Sequence, residues 1–187
     1  MAALKYANLD WNPGQKNVPG ISEDVYAISK AEILAWPTLP AVFVANIGEL
    51  VTYSGNFTLE LAAKWKKVGV IAEKSNLDGK SQGTKPSKTF LNQIVMQHPG
   101  AGADASAYAM QANNDDLVYL AKENNTGKYR VVGNEMFPTN TEADQKLGGS
   151  PTDEMGTTLT VTVTDVAPAL YYTGAIITDD GIINPGI

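Results

Sequence analysis

A chain of 187 residues, 43% hydrophobic and 18% charged, fits one globular domain, or one domain with arms. It has no cysteine, which excludes a disulfide scaffold, a cysteine nucleophile and a thiolate metal site. The net charge of -6 argues against nucleic-acid affinity, and no apolar run reaches the length of a signal peptide or a membrane span, so a soluble protein made and used without export is expected.

Residues 1–20 carry two Pro-Gly pairs, Pro13-Gly14 and Pro19-Gly20, and read as an arm or irregular lead-in with Tyr6, Leu9 and Trp11 as anchors. From Ser22 to Trp36 a short helix is expected: Ser22 can cap it, and Glu23 and Asp24 fall in a first turn that favours acids. Pro37 and Pro40 close this region, so residues 1–40 stand apart from a β-rich domain over 41–177, with 178–187 as a C-terminal tail.

Ala41–Ala45 and Val51–Ser54 read as short strands. Phe57–Leu61 alternates, and the pattern continues to Ala72 as one long strand with an irregularity near Ala62-Ala63. Asp78-Gly79, Gly83 and Pro86 mark a turn region, so Asn76–Pro86 is expected to be the tip of a long hairpin spanning 57–98. The returning strand is Thr89–His98, with Phe90, Ile94 and Met96 on one face and Leu91 and Val95 on the other, beside Gln93 and Gln97. Apolar residues on both faces point to subunit contact. Asp104–Asn113 is the expected helix, rich in alanine and capped by Asp104; Tyr108 with Ala105, Ala109 and Ala112 forms its packing face.

Leu117–Ala121 and Lys128–Val132 form a hairpin, with Gly127 available for a positive φ in the turn. Residues 133–156 hold scattered glycines and prolines and read as a long loop. Then comes the clearest strand of the chain, Gly156–Asp165, where Leu159, Val161 and Val163 alternate with Thr158, Thr160, Thr162 and Thr164. A bend at Ala167-Pro168, a short strand at Leu170–Thr173 and an Asp179-Asp180-Gly181 turn complete the pattern. The fold class expected is mainly β: a sandwich or partly open barrel with one long hairpin and one short helix.

Charge is unevenly placed. Glu60–Lys88 holds seven lysines against three acids, a net +4, while the rest of the chain is net -10. Two arrangements account for this: blocks that complement each other across a subunit interface, or a lysine-rich hairpin kept soluble by protruding.

The chemical inventory is thin. His98 is the only histidine, so a multidentate histidine metal site is impossible. Asp115-Asp116, Asp179-Asp180 and the loop with Asp144, Asp153 and Glu154 lack the ligand spacing of an EF-hand. No phosphate loop occurs, and the sequence calls for no cofactor and no metal. Aromatics including Trp11, Trp36, Trp65, Tyr119, Tyr129, Tyr171 and Tyr172 could line a sugar platform, which keeps a carbohydrate-binding, adhesin or virion decoration domain as the alternative to a structural subunit.

In this order of elements the chain resembles the major tail tube proteins of tailed bacteriophages. The similarity rests on the lysine-bearing hairpin, the Ala-rich helix, the compact hairpin Leu117–Val132 and the late Gly-Thr-Thr-Leu-Thr-Val-Thr-Val strand, and spans most of residues 40–175. It implies a non-enzymatic virion protein, assembled in the host cytoplasm, whose copies close into a ring, commonly a hexamer. Rings stack into a tube that contacts other tail proteins and passes DNA without specific binding. Asn76, Lys80, Lys85, Lys88, Phe90, Ile94 and Met96 are the expected interface, and Asp104 and Tyr108 belong to the packing helix.

Overall fold

The computed structural model describes residues 6–40 and 46–184, so the strand expected over 41–45 lies outside the described residues. Two open sheets dominate, and they do not close into a barrel. The larger has six strands. In chain order they are β1 (Ile21–Ser29), β3 (Thr52–Tyr53), β5 (Lys66–Gly69), β8 (Leu117–Glu123), β9 (Tyr129–Val132) and β12 (Tyr171–Tyr172), arranged β3-β12-β9-β8-β1-β5. The smaller sheet holds β6 (Asn76–Gln82), β7 (Thr89–His98), β10 (Thr139–Lys146) and β11 (Gly156–Asp165), arranged β10-β11-β7-β6 and antiparallel throughout. Two two-stranded sheets, β2 (Ile33–Ala35) with β4 (Thr58–Leu59) and the hairpin β13 (Ile176–Thr178) with β14 (Gly181–Ile183), complete the β structure of the described residues. One helix, α1 (Ala103–Ala112), lies between β7 and β8 in the chain.

Two cores result. Between the sheets, Val25, Ala27, Tyr119, Ala121 and Val132 of the six-stranded sheet meet Ile94, Met96, Leu159, Val161 and Val163 of the four-stranded one, and Tyr108 and Ala112 of α1 pack onto the same cluster. On the opposite face of the six-stranded sheet, Tyr26, Ile28, Val118, Leu120 and Tyr129 meet Phe57, Trp65, Leu170 and Ile176. The aromatic centre there is Phe57, whose ring lies 5.1 Å from Trp36, 5.4 Å from Trp65 and 5.0 Å from Tyr172. The six-stranded sheet is thus covered on both sides, which is why Leu117–Ala121 is apolar or aromatic at every position and buried at every position.

Several sequence expectations change. Ser22–Trp36 is not a helix: it forms β1, a 3-10 turn at Lys30–Glu32, and β2. Ser22 does accept a hydrogen bond from the Asp24 amide, as a capping serine would, but it does so where the β1–β8 register shifts between Ile21 and Val25. Phe57–Ala72 is not one strand. Ala62 takes φ 69°, the only non-glycine residue at positive φ among those described, and this turn sends β4 and β5 into different sheets. The hairpin is therefore Asn76–His98 rather than 57–98, and Asn76–Gln82 is laddered strand, leaving Gly83–Lys88 as the tip. Residues 133–156 are not all loop, because Thr139–Lys146 pairs with β11 along its whole length. Asp104 is not the helix cap; Gly102 holds that position and Asp104 lies in the first turn. The tail beyond 178 includes β14, paired with β13 across Asp179-Asp180.

The Gly156–Asp165 strand, the Leu117–Val132 hairpin and the packing face of the Ala-rich helix stand as expected.

Candidate assembly surface

The four-stranded sheet buries one face only. Strand pairing places Leu77 opposite Ile94, Ile94 opposite Val161 and Val161 opposite Thr141, all on the inner side. Neighbouring positions point outward: Asn76, Asp78 and Lys80 on β6; Leu91, Gln93, Val95 and Gln97 on β7; Thr158, Thr160, Thr162 and Thr164 on β11; Asn140, Glu142 and Asp144 on β10. Each of these outward residues is half-exposed or exposed, and none belongs to either core. The result is a plate rich in threonine, glutamine and asparagine at its centre, with the charged residues Asp78, Lys80, Glu142 and Asp144 on its two edge strands.

Among the described residues, neither long edge of this plate pairs with a further strand, though α1 packs beside β10, where the Ser106 hydroxyl and the Gln145 side-chain amide hydrogen-bond. β6 pairs only with β7, and β10 only with β11. Three antiparallel steps separate them, so β6 and β10 run in opposite directions. Open edges carry unpaired amides and carbonyls that template further strands. Gly79, within β6, permits a close approach on the inner side: a Cβ there would come within 3.1 Å of the Pro168 side chain and 3.0 Å of Asn92 Oδ1.

The lysine block splits in two. Lys64 and Lys66 pair with Asp179 at 3.5 and 2.7 Å, Lys67 pairs with Asp24 at 3.1 Å, and Lys74 pairs with Glu154. These ion pairs lie within one chain, and the Lys66 hydrogen bond and charge hold the Asp179 carboxyl below the usual carboxylate range. Lys80, Lys85 and Lys88 make no ion pair among the described residues and are exposed on the edge strand and its tip. Charge complementarity is therefore partly internal, and the lysines without an ion pair among the described residues lie at the end of the β6–β7 hairpin.

Of the expected interface, Asn76, Lys80, Lys85 and Lys88 are exposed and Phe90 is half-buried. Ile94 and Met96 are fully buried between the sheets and cannot form a surface in the folded subunit. Position parity explains this: Ile94 and Met96 share the inner face with Asn92, whose side chain donates to the Ala167 carbonyl and accepts from the Ala169 amide. The outward set, Leu91, Gln93, Val95 and Gln97, carries whatever contact β7 makes. Tyr108 packs into the core as expected, and burial pushes its hydroxyl pKa up.

Several other titratable groups tie elements together. His98 Nδ1 lies 2.7 Å from the Gly69 carbonyl and ties the end of β7 to β5. Asp116 accepts from both the amide and the hydroxyl of Thr139, at 2.8 and 2.6 Å, and pairs with Lys30, anchoring the start of β10. Burial works against the Glu123 carboxylate, but hydrogen bonds from Arg130 and Thr126 outweigh it and hold its pKa below the ordinary value. Arg130 lies over the Tyr171 ring, 3.6 Å from its centroid, and donates to the Ala169 carbonyl. Glu123, Arg130, Ala169 and Tyr171 line a cleft of about 500 Å³ with residues of β6, and their polar atoms hydrogen-bond one another. Among the described residues, no three His, Asp or Glu side chains converge as a metal site. Tested against family models, curated proteins and solved structures, the chain gives no significant match.

Proposed function

We propose that this protein is a virion structural subunit without enzymatic activity, whose copies close into rings and stack into a tail tube that conducts DNA. The observation that carries this reading is the pair of open, oppositely directed edges on a sheet with an uncovered polar face. A copy rotated about an axis along the strands offers its β10 to the first copy's β6 in antiparallel register, so the sheet continues from copy to copy and its edges vanish on closure. The side chains agree: β6 and its tip bring Lys80, Lys85 and Lys88, and β10 brings Glu142 and Asp144. The threonine- and glutamine-rich plate then lines the lumen, where weak charge suits a polyanion that must pass without sticking.

Negative-stain microscopy and light scattering of the purified protein test this. Rings or tubes are expected, and added salt is expected to weaken the β6–β10 contact that closes the ring, because exposed ion pairs are screened. Replacing Lys80, Lys85 and Lys88 together by Glu is expected to leave the subunit folded and to suppress assembly. A monomer that persists at high concentration would overturn the tube, and saturable glycan binding by that monomer would favour the carbohydrate-binding alternative.

A further inference from the structure

The sequence holds two Asp-Gly pairs, Asp78-Gly79 and Asp180-Gly181. In such a pair the aspartyl carboxyl can close on the next backbone nitrogen, because glycine puts no Cβ in the path. The fold treats the two pairs differently. Gly79 lies in the middle of the seven-residue strand β6, opposite Asn92 of β7. A Cβ there would meet Asn92 Oδ1 at 3.0 Å and the Pro168 side chain at 3.1 Å. Asp78 beside it accepts a hydrogen bond from Asn76 Nδ2.

Asp180-Gly181 is the opposite case. Both residues are exposed at the turn of the β13–β14 hairpin, where Thr178 pairs with Gly181. Gly181 takes φ 131°, a conformation that favours glycine, and no atom lies within 4 Å of the place its Cβ would take. The Asp180 carboxylate makes no hydrogen bond or ion pair among the described residues, whereas Asp179 is held by Lys64 and Lys66. The hairpin is a short ladder standing as its own two-stranded sheet. Its turn opens at lower cost than the middle of a strand laddered into a four-stranded sheet.

We propose that Asp180 is a site of spontaneous covalent modification, converting to isoaspartate through a cyclic imide formed with Gly181. The Gly181 nitrogen attacks Asp180 Cγ. The N–Cγ bond forms, the Cγ–OH bond breaks, and the amide proton leaves with that hydroxyl as water. A second water then opens the ring. Opening at Cγ restores aspartate. Opening at the main-chain carbonyl leaves the chain running through Cβ and Cγ, which makes the backbone one atom longer. No oxidant, metal or enzyme takes part. The added atom falls next to Asp179, which pairs with Lys66 of β5, and next to the Thr178 hydroxyl bond to the Gly181 carbonyl. The modification therefore loosens the tie between this hairpin and β5. It does not depend on the tail-tube reading.

Peptide mapping with electron-transfer fragmentation, which separates isoaspartate from aspartate, tests this on folded protein aged at neutral pH and on the same protein in urea. In the folded protein, isoaspartate is expected at Asp180 at least about tenfold faster than at Asp78. That factor follows if opening the β6 ladder costs about 1.4 kcal/mol more than opening the turn. In urea the two rates are expected to converge, because both sites keep the same Asp-Gly chemistry. Asp180→Glu, whose longer side chain cannot close the same ring, is expected to abolish the product there and leave Asp78 unchanged. Equal rates at the two sites in the folded protein would overturn the proposal. So would the absence of product at Asp180, or a ratio that urea leaves unchanged.

Discussion

The two sheets are built from similar strands but live in different surroundings. The six-stranded sheet is packed on both faces, and its central strand β8 has no polar side. The four-stranded sheet is packed on one face, and β11 alternates strictly between core and threonine. A sheet that needs both faces covered is an interior element. A sheet that keeps one face polar, and whose edges pair with no further described strand, is a surface element. The contrast separates what holds the subunit together from the surface on which the proposed assembly rests.

The sharpest way to break this comparison is to truncate one residue from each setting. Trp65 is 1% exposed and stacks edge-on to Phe57. Trp65→Ala is expected to cost about 3–5 kcal/mol by urea denaturation, from lost burial plus a residual cavity. Thr160→Ala, on the outward face of β11, is expected to change stability by no more than about 0.5 kcal/mol. Comparable losses from both would mean that the outer plate is covered within the subunit.

A second pair sharpens the comparison within a single strand. Ile94 faces the core and Val95 faces out, one residue apart on β7. Ile94→Ala is expected to cost about 2–5 kcal/mol and Val95→Ala about 1 kcal/mol or less in the isolated subunit. In the assembled state the Val95 variant gains importance only if the outward face is a contact, so the ratio of the two effects before and after assembly measures how much of that face a neighbour covers.

What the sequence revealed follows the same divide. β11 could be read directly, because one wet face and one dry face give a clean period of two. The Leu117–Val132 hairpin could be read from its apolar runs and glycine turn. β1 could not. Val25, Tyr26, Ala27 and Ile28 are buried in succession, so no alternation survives, and Ser22-Glu23-Asp24 imitates a helix start. β10 was hidden for the opposite reason: its inward set is only Thr139, Thr141 and Ala143, and the rest is charged or amide. The assembly surface was half legible. The tip lysines were plain in the composition, but nothing in Thr89–His98 alone tells which parity faces inward, because both carry apolar residues. Only pairing with β11 assigns Ile94 and Met96 to the core.

The smallest effect concerns the place where the two sheets are tied together. Asp165 ends β11 and is 1% exposed; its Oδ1 accepts from Asn134 Nδ2 at 2.9 Å and from the Val166 amide, while Oδ2 is buried without a partner. Asn134 in turn accepts from the Met136 and Phe137 amides, fixing the crossing from β9 to β10. Burial raises the Asp165 pKa, and the bonds from Val166 and Asn134 offset this only in part. A folded pKa above the unfolded one favours the protonated native state. The contribution is fully present below about pH 3.9, the ordinary aspartate value, and is lost as pH rises through the folded pKa. Asp165→Asn keeps an acceptor for both amide donors and removes the charge. It is expected to match the wild type in acid and to exceed it at pH 7 by about 1 kcal/mol or less. Urea midpoints measured across this range isolate the effect. Asp24 and Glu123, whose pKa values are lowered, titrate in the opposite sense but identically in both proteins, so they cancel in the difference. A variant less stable than wild type at pH 7 would show that the ionised carboxylate, with its two bonds, strengthens the crossing instead of straining it.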